Sequence, residues 1–175
     1  MIERSPRNLS DSQSAALSAS LANGLRRLNM RPTDPPAAIV QAIDDLVESE
    51  QIEREKYLKG LYLLMFKKPV TLVAEVGAVW GEQVVRELSW AWQFAVRAEK
   101  PELAIAEPTR AHVIFPEWYV ARMLRPPYDD NTLMLTFNML RENRSPSAAP
   151  GAMEDLTGRA RHVVPKRLRP GYRRA

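Results

Sequence analysis

No cysteine occurs in the 175 residues. That absence excludes disulfides, a thiolate nucleophile and Cys-ligated zinc together, and it fits a reducing compartment, so the cytoplasm is the expected location. Histidine is nearly as scarce: only His112 and His162 are present, too few for an HExxH motif, a His cluster or a nucleophile–His–carboxylate set. Seven glycines are scattered along the chain, with no GxxxxGK[ST] and no GxGxxG to cradle phosphate. The start, "MIERSPRNLSDSQSAALSAS", lacks the apolar core of a signal peptide, and the most apolar later run, "LYLLMF", is too short to span a bilayer, so neither export nor a membrane partner is expected.

What is present suits one domain with enough apolar content for a real core. The formal charge of +4 is unevenly placed. Residues 141–175 hold nine Lys/Arg against three Asp/Glu, while residues 1–140 hold sixteen against eighteen, so the body is mildly acidic. The composition of the end, rich in Pro, Gly, Ser and Arg, predicts a disordered basic tail over 144–175, a flexible terminus over 1–9, and a single α+β domain over 10–143. A basic tail offers nucleic-acid binding as an alternative function, but solvated basic ends are common and a protein partner is favoured.

Helical periodicity recurs along the chain. Ser10 or Asp11 can cap a helix carrying Leu17, Leu21, Leu25 and Leu28, weakened by Gly24. "RPTDPP" breaks the chain, and Pro35 or Pro36 opens a helix striped with Ile39, Ile43, Leu46 and Val47. Whether 36–66 forms one helix or two stays open, and "ESEQIEREK" within it reads as a solvated stretch. After Pro69 a third helix carries Val73, Val76, Trp80, Val84 and Leu88, with Gly77 and Gly81 four apart on nearly the same face, a sign of a close crossing. The period then changes to two: Trp90, Trp92, Phe94 and Val96 read as the buried face of a strand. Leu103–Ala106 and Ala111–Phe115 follow as two short strands around a Glu-Pro-Thr-Arg turn, making a three-stranded antiparallel meander. Pro116 opens a short helix, "EWYVARML", and Asp130, Asn131 or Thr132 caps a last one through Leu133, Phe137 and Leu140. The expected fold is therefore α+β: N-terminal helices, a helix leading into a short three-stranded antiparallel sheet, a C-terminal helix and a disordered basic tail.

Three segments, "WGEQVVRELSWAWQF", "AIAEPTRAHVIFP" and "NTLMLTFNML", together resemble an uncharacterised bacterial family labelled a domain of unknown function. The resemblance covers Val70 to Leu140, and Ser89 stands where glycine is expected before the strand tryptophans. It implies a fold and no reaction. By analogy, small bacterial proteins of this look accompany secreted toxins as immunity partners.

Paired carboxylates remain as candidates for chemistry, because a small hydrolase needs only two; Glu82, Glu107, Glu117, Asp129 and Asp130 are available. Glu82 is read first as a surface ion pair with Arg86 at i, i+4, and Asp130-Asn131-Thr132 as a cap rather than a cation site. No catalytic residue, cofactor or metal is assigned. The favoured function is an intracellular protein-interaction protein, of the immunity type by analogy, with a carboxylate hydrolase or tail-mediated nucleic-acid binding as alternatives. Its candidate interaction residues are Glu82, Arg86, Trp118, Tyr119, Tyr128, Asn131 and Thr132, the aromatics among them taken as exposed contact anchors.

Overall fold

The computed structural model describes residues 9–57, 70–125 and 132–157. Among them the order is α1 (Asp11–Arg27), α2 (Pro36–Tyr57), α3 (Val70–Leu88), β1 (Ala91–Arg97), β2 (Lys100–Ala106), β3 (His112–Ile114), α4 (Pro116–Met123), α5 (Leu133–Arg141) and β4 (Glu154–Asp155). The fold is α+β, as the pattern predicts. Whether α2 continues or a second helix follows falls outside the described residues.

The local causes are those the sequence carries. Ser10 caps α1 through a reciprocal capping box with Gln13, the two side chains each accepting from the other's backbone N–H at 3.3 and 2.8 Å. Helix α3 is the hub, packed against α1, α2, α4 and α5. Its bare positions allow this. A Cβ on Gly77 would lie 2.9 Å from the Glu117 backbone at the start of α4, and one on Gly81 would strike the Trp92 ring. Gly24, read as a weakness of α1, is the contact point with α3, where a Cβ would lie 2.6 Å from the Glu75 carbonyl. Trp80, fully buried, donates its indole N–H to the Leu133 carbonyl at 3.2 Å and stands edge-on against Tyr119.

The stretch "ESEQIEREK" is solvated at Glu48, Ser49 and Glu53, and Glu50 pairs with Arg54 at i, i+4 as expected, but its other face is corrected from solvent to core. Gln51 and Arg54 within it are buried, reaching the Met123 and Leu124 carbonyls at 2.7 and 3.2 Å, where the last turn of α4 leaves acceptors without intrahelical donors.

The sheet runs β1-β2-β3-β4. β1 and β2 pair antiparallel without interruption from Ala91↔Ala106 to Arg97↔Lys100, and β3 continues the meander through Ile105↔Ile114. The Glu107-Pro108-Thr109-Arg110 turn closes by Arg110 N–H to the Glu107 carbonyl at 2.9 Å. β4 adds a fourth strand, parallel to β3, with Val113 in register with Asp155. The expectation of a disordered tail from residue 144 is thus corrected for the described part. Leu156 is buried in the main core, its N–H bonded to the Val113 carbonyl at 2.9 Å, and Thr157 accepts from the Phe115 N–H at 2.9 Å. Average composition hides one well-placed leucine. Residues 158–175 lie outside the described residues.

The strand face read as buried is corrected as well. Trp90 precedes β1 and enters the main core, but Trp92 and Phe94 are half-buried and Val96 is 40% exposed, whereas Gln93 and Ala95 are 6% and 7% exposed. β1 is the outermost strand. Its other face closes instead on Ala104, Val113 and Phe115, with Trp118 and Met153 packed against them.

Several turns run through left-handed backbone without glycine, among them the helix-to-strand corner, where Ser89 has φ 56°, and the turn where Ala98 and Glu99 have φ 47° and 66°. The latter pair forms the two-residue loop of the β1–β2 hairpin, the type I′ turn that favours Asn-Gly. Replacing Ala98-Glu99 by Asn-Gly is expected to raise stability by about 1–2 kcal/mol in urea unfolding, and an unchanged or lower midpoint would refute strain at this turn.

Candidate functional site

Glu82 and Arg86 do not form the expected pair. The Glu82 side chain turns toward β1 and accepts the Trp92 indole N–H at 2.9 Å. Arg86, exposed, instead donates to the Gln83 side chain at 2.9 Å and reaches the Asp34 carbonyl at 3.5 Å. The reason is steric. Glycine at position 81 lets the Trp92 ring lie directly on α3, and this brings its N–H to the Glu82 carboxylate one residue on. A charged acceptor makes this a stronger bond than a neutral one would be.

Trp118 is half-buried beneath Arg97. The Arg97 guanidinium lies 3.8 Å from the Trp118 ring centroid and 5.7 Å from that of Phe115, and ion-pairs with Glu102 at 3.7 Å and Asp155 at 3.8 Å. One side chain so joins the end of β1 to β2, α4 and β4, through cation–π and charge contacts. Trp118 is covered from within the chain rather than free as an anchor.

Tyr119 is corrected from an exposed anchor to core. It is fully buried, and its hydroxyl contacts the Thr132 hydroxyl at 2.6 Å, the Thr132 carbonyl at 3.1 Å and the Thr136 hydroxyl. Burial first of all pushes its phenol up from the ordinary value, and the two threonine hydroxyls pull against this. Thr132 occupies the N-cap position of α5 but does not cap with its side chain, because that hydroxyl is spent on Tyr119. Asp44 of α2 takes the Met134 N–H instead, at 3.3 Å. Tyr128 and Asn131, with Asp129 and Asp130, lie outside the described residues.

Glu107 meets His112 Nδ1 at 3.1 Å and accepts from the Thr109 hydroxyl. Burial alone would raise its carboxyl; hydrogen bonds from Thr109 and His112, together with the electrostatic pull of the ring, outweigh it and hold the group below its ordinary value. The other ring nitrogen of His112, Nε2, is buried and has no hydrogen-bond partner. Glu117 is pushed up, first by desolvation against α3 and then by the Glu102 carboxylate. Glu82 and Glu107 are thus engaged with different partners, Trp92 and His112. Among the described residues no group of three His, Asp or Glu side chains is placed to hold a metal ion, and no helix is long and apolar enough to cross a membrane.

Glu82 with Trp92 on one face, and Arg97 with Trp118 on the other, both fix the same element: strand β1. Its outer side is what they hold in place. Ala91 to Val96 carries no charge and no proline, the pairing with β2 contains no bulge, and no strand lies beyond it among the described residues. Folded proteins ordinarily blunt such an edge with Lys, Pro, a bulge or a short strand. Period-two apolar residues announced the strand, but nothing in them tells an outer strand from an inner one. Comparison of the chain with protein-family models, with curated proteins and with solved structures gives no match, so its function is argued from its own residues.

Two expectations follow. Tyr119→Phe is expected to cost about 1–3 kcal/mol in denaturant unfolding, because it strands the Thr132 and Thr136 hydroxyls in the core; a neutral substitution would show that the network is dispensable. Since the Glu107 carboxyl is lowered in the folded state, its stabilisation is full above the ordinary value of 4.5 and is lost as pH falls through the lowered one. Glu107→Gln is therefore expected to melt below the parent protein at neutral pH, with the gap closing in acid. A gap that is constant with pH would exclude this linkage.

Proposed function

We propose that this protein is a protein-interaction protein that binds by strand addition along the outer edge of β1. The observation that supports this reading most is the seven-residue, uninterrupted strand at the side of the sheet, with no strand beyond it among the described residues. An extended chain adding there gains main-chain hydrogen bonds for affinity and side-chain contacts on alternate residues for selectivity. Exposed Ala91 and Val96, with half-buried Trp92 and Phe94, supply the apolar contacts. The clamps on both faces keep the strand straight before a partner arrives, which lowers the ordering cost of binding.

The outward backbone groups can be assigned. In a two-residue hairpin the residues flanking the loop form a hydrogen-bonded pair, so Arg97/Lys100 is such a pair and the bonded pairs recur at Ala95, Gln93 and Ala91. Trp92, Phe94 and Val96 consequently direct both N–H and C=O away from β2. Pro101, which has no N–H to offer, sits opposite Val96 at a pair that needs none from it.

Val96→Pro removes one outward donor without touching the β1–β2 ladder, and Val96→Thr keeps it. A labelled peptide of alternating Val and Thr, seven residues long to match β1, is expected to bind the parent and Val96→Thr saturably, read by fluorescence anisotropy, and to lose at least tenfold in affinity on Val96→Pro. Equal binding to all three forms would sink strand addition at this edge.

A further inference from the structure

We infer that the occupant of this edge is β1 of a second copy of the same chain, paired antiparallel across a two-fold axis at Phe94. The inference rests on the reading of β1 as a strand-accepting edge and goes beyond it by naming the partner. Three observations converge on it.

The first is register. Two copies of a strand related by a two-fold axis can align about any residue, but the outward groups belong to Trp92, Phe94 and Val96. Centred on Phe94, Phe94 meets its own copy while Trp92 meets Val96 of the second copy and the reverse, each pair exchanging both its hydrogen bonds. Every outward group from Trp92 to Val96 is satisfied. Centred on Gln93, Val96 would face Trp90, which lies outside the strand in the buried core; centred on Ala95, Trp92 would face Ala98 in the turn. Only one register uses the whole edge.

The second is side-chain complementarity. Trp92, Phe94 and Val96 share a face of the sheet, and Val96 is the most exposed of them. The Phe94-centred register sets each Val96 against the half-buried Trp92 of the second copy and the two Phe94 rings together, the kind of aromatic and β-branched cross-strand contact that stabilises sheets. On the other face it sets Gln93 against Ala95, a long residue against a small one.

The third is charge. A hetero-partner is selected and steered chiefly by complementary charge, and this edge presents none: Ala91–Val96 is uncharged, and Arg97 is already committed to Glu102, Asp155 and Trp118. Arg97 would face Ala91 of the second copy, so no like charges oppose. An edge without charge is poorly equipped to choose a stranger but fully equipped to meet itself, as a two-fold contact demands self-complementarity.

The test uses the full chain. Sedimentation velocity across a concentration series is expected to show a monomer–dimer equilibrium, shifted at least tenfold toward monomer by Val96→Pro with an unchanged circular-dichroism melt of the monomer. Because the chain has no cysteine, single-cysteine variants report register directly. The Phe94 Cα atoms of a two-fold hydrogen-bonded pair lie about 5.5 Å apart, within disulfide reach. Phe94→Cys is therefore expected to give a covalent dimer under mild oxidation and Ala91→Cys none. A monomer at all concentrations with no Phe94→Cys cross-link overturns the second copy. If the Val/Thr peptide still binds such a monomer, strand addition stands with a different occupant; if it does not, both fall. A dimer untouched by Val96→Pro and cross-linking equally at Ala91→Cys overturns the inference too, since another surface would then hold the copies.

Discussion

Everything in this fold depends on how closely α3 can be approached. Its side toward the sheet lacks side chains at Gly77 and Gly81, so the first turn of α4 lies on one gap and the Trp92 ring on the other. A methyl group at either would displace backbone or a large ring, and close-packed interiors accommodate such intrusions poorly. The approach fixes three things together: the position of α4, the seat of β1, and the meeting of the Trp92 indole with Glu82. Interior glycine costs a helix about 1 kcal/mol relative to alanine. Here that cost is offset by the burial of Trp80, Trp92 and Tyr119 against the same helix.

Much of this was legible in advance because it depends on local rules. The capping box at Ser10, the proline-opened helices, the four-apart glycines and the switch from helical to alternating period each report a short stretch of backbone, and each lies where its pattern placed it. What escaped depends on residues distant in the chain. Gln51 and Arg54 look solvated until α4 ends beside them, and Tyr119 looks like a surface aromatic until Thr132 and Thr136 supply its partners. Leu156 sits in a segment whose average composition is that of a tail, and no average reveals that β3 has a free side to receive it.

The candidate site was legible only in part. The sequence points to Glu82 and Trp118, but for other reasons: one as half of an ion pair, the other as an anchor. Both act on β1, Glu82 by orienting Trp92 and Trp118 by receiving Arg97. The strand itself read as core because alternation describes faces, while its exposure depends on sheet order, a non-local property. The turn that decides which of its amides point outward has no Asn-Gly signature, and Ala98-Glu99 adopts the same backbone at a conformational cost.

The two-residue length of β4 carries a consequence for assembly. Among the described residues the sheet ends on one side in the long strand β1 and on the other in a stub, bounded by the Asp155–Thr157 hydrogen bond and by Arg97 reaching Asp155 from across the sheet. A ladder that can lengthen from one flank alone has no way to propagate: once that flank is filled, the next chain meets only the stub. Growth into a filament needs two competent flanks, and the strand addition proposed for β1 would use the one long flank this sheet has.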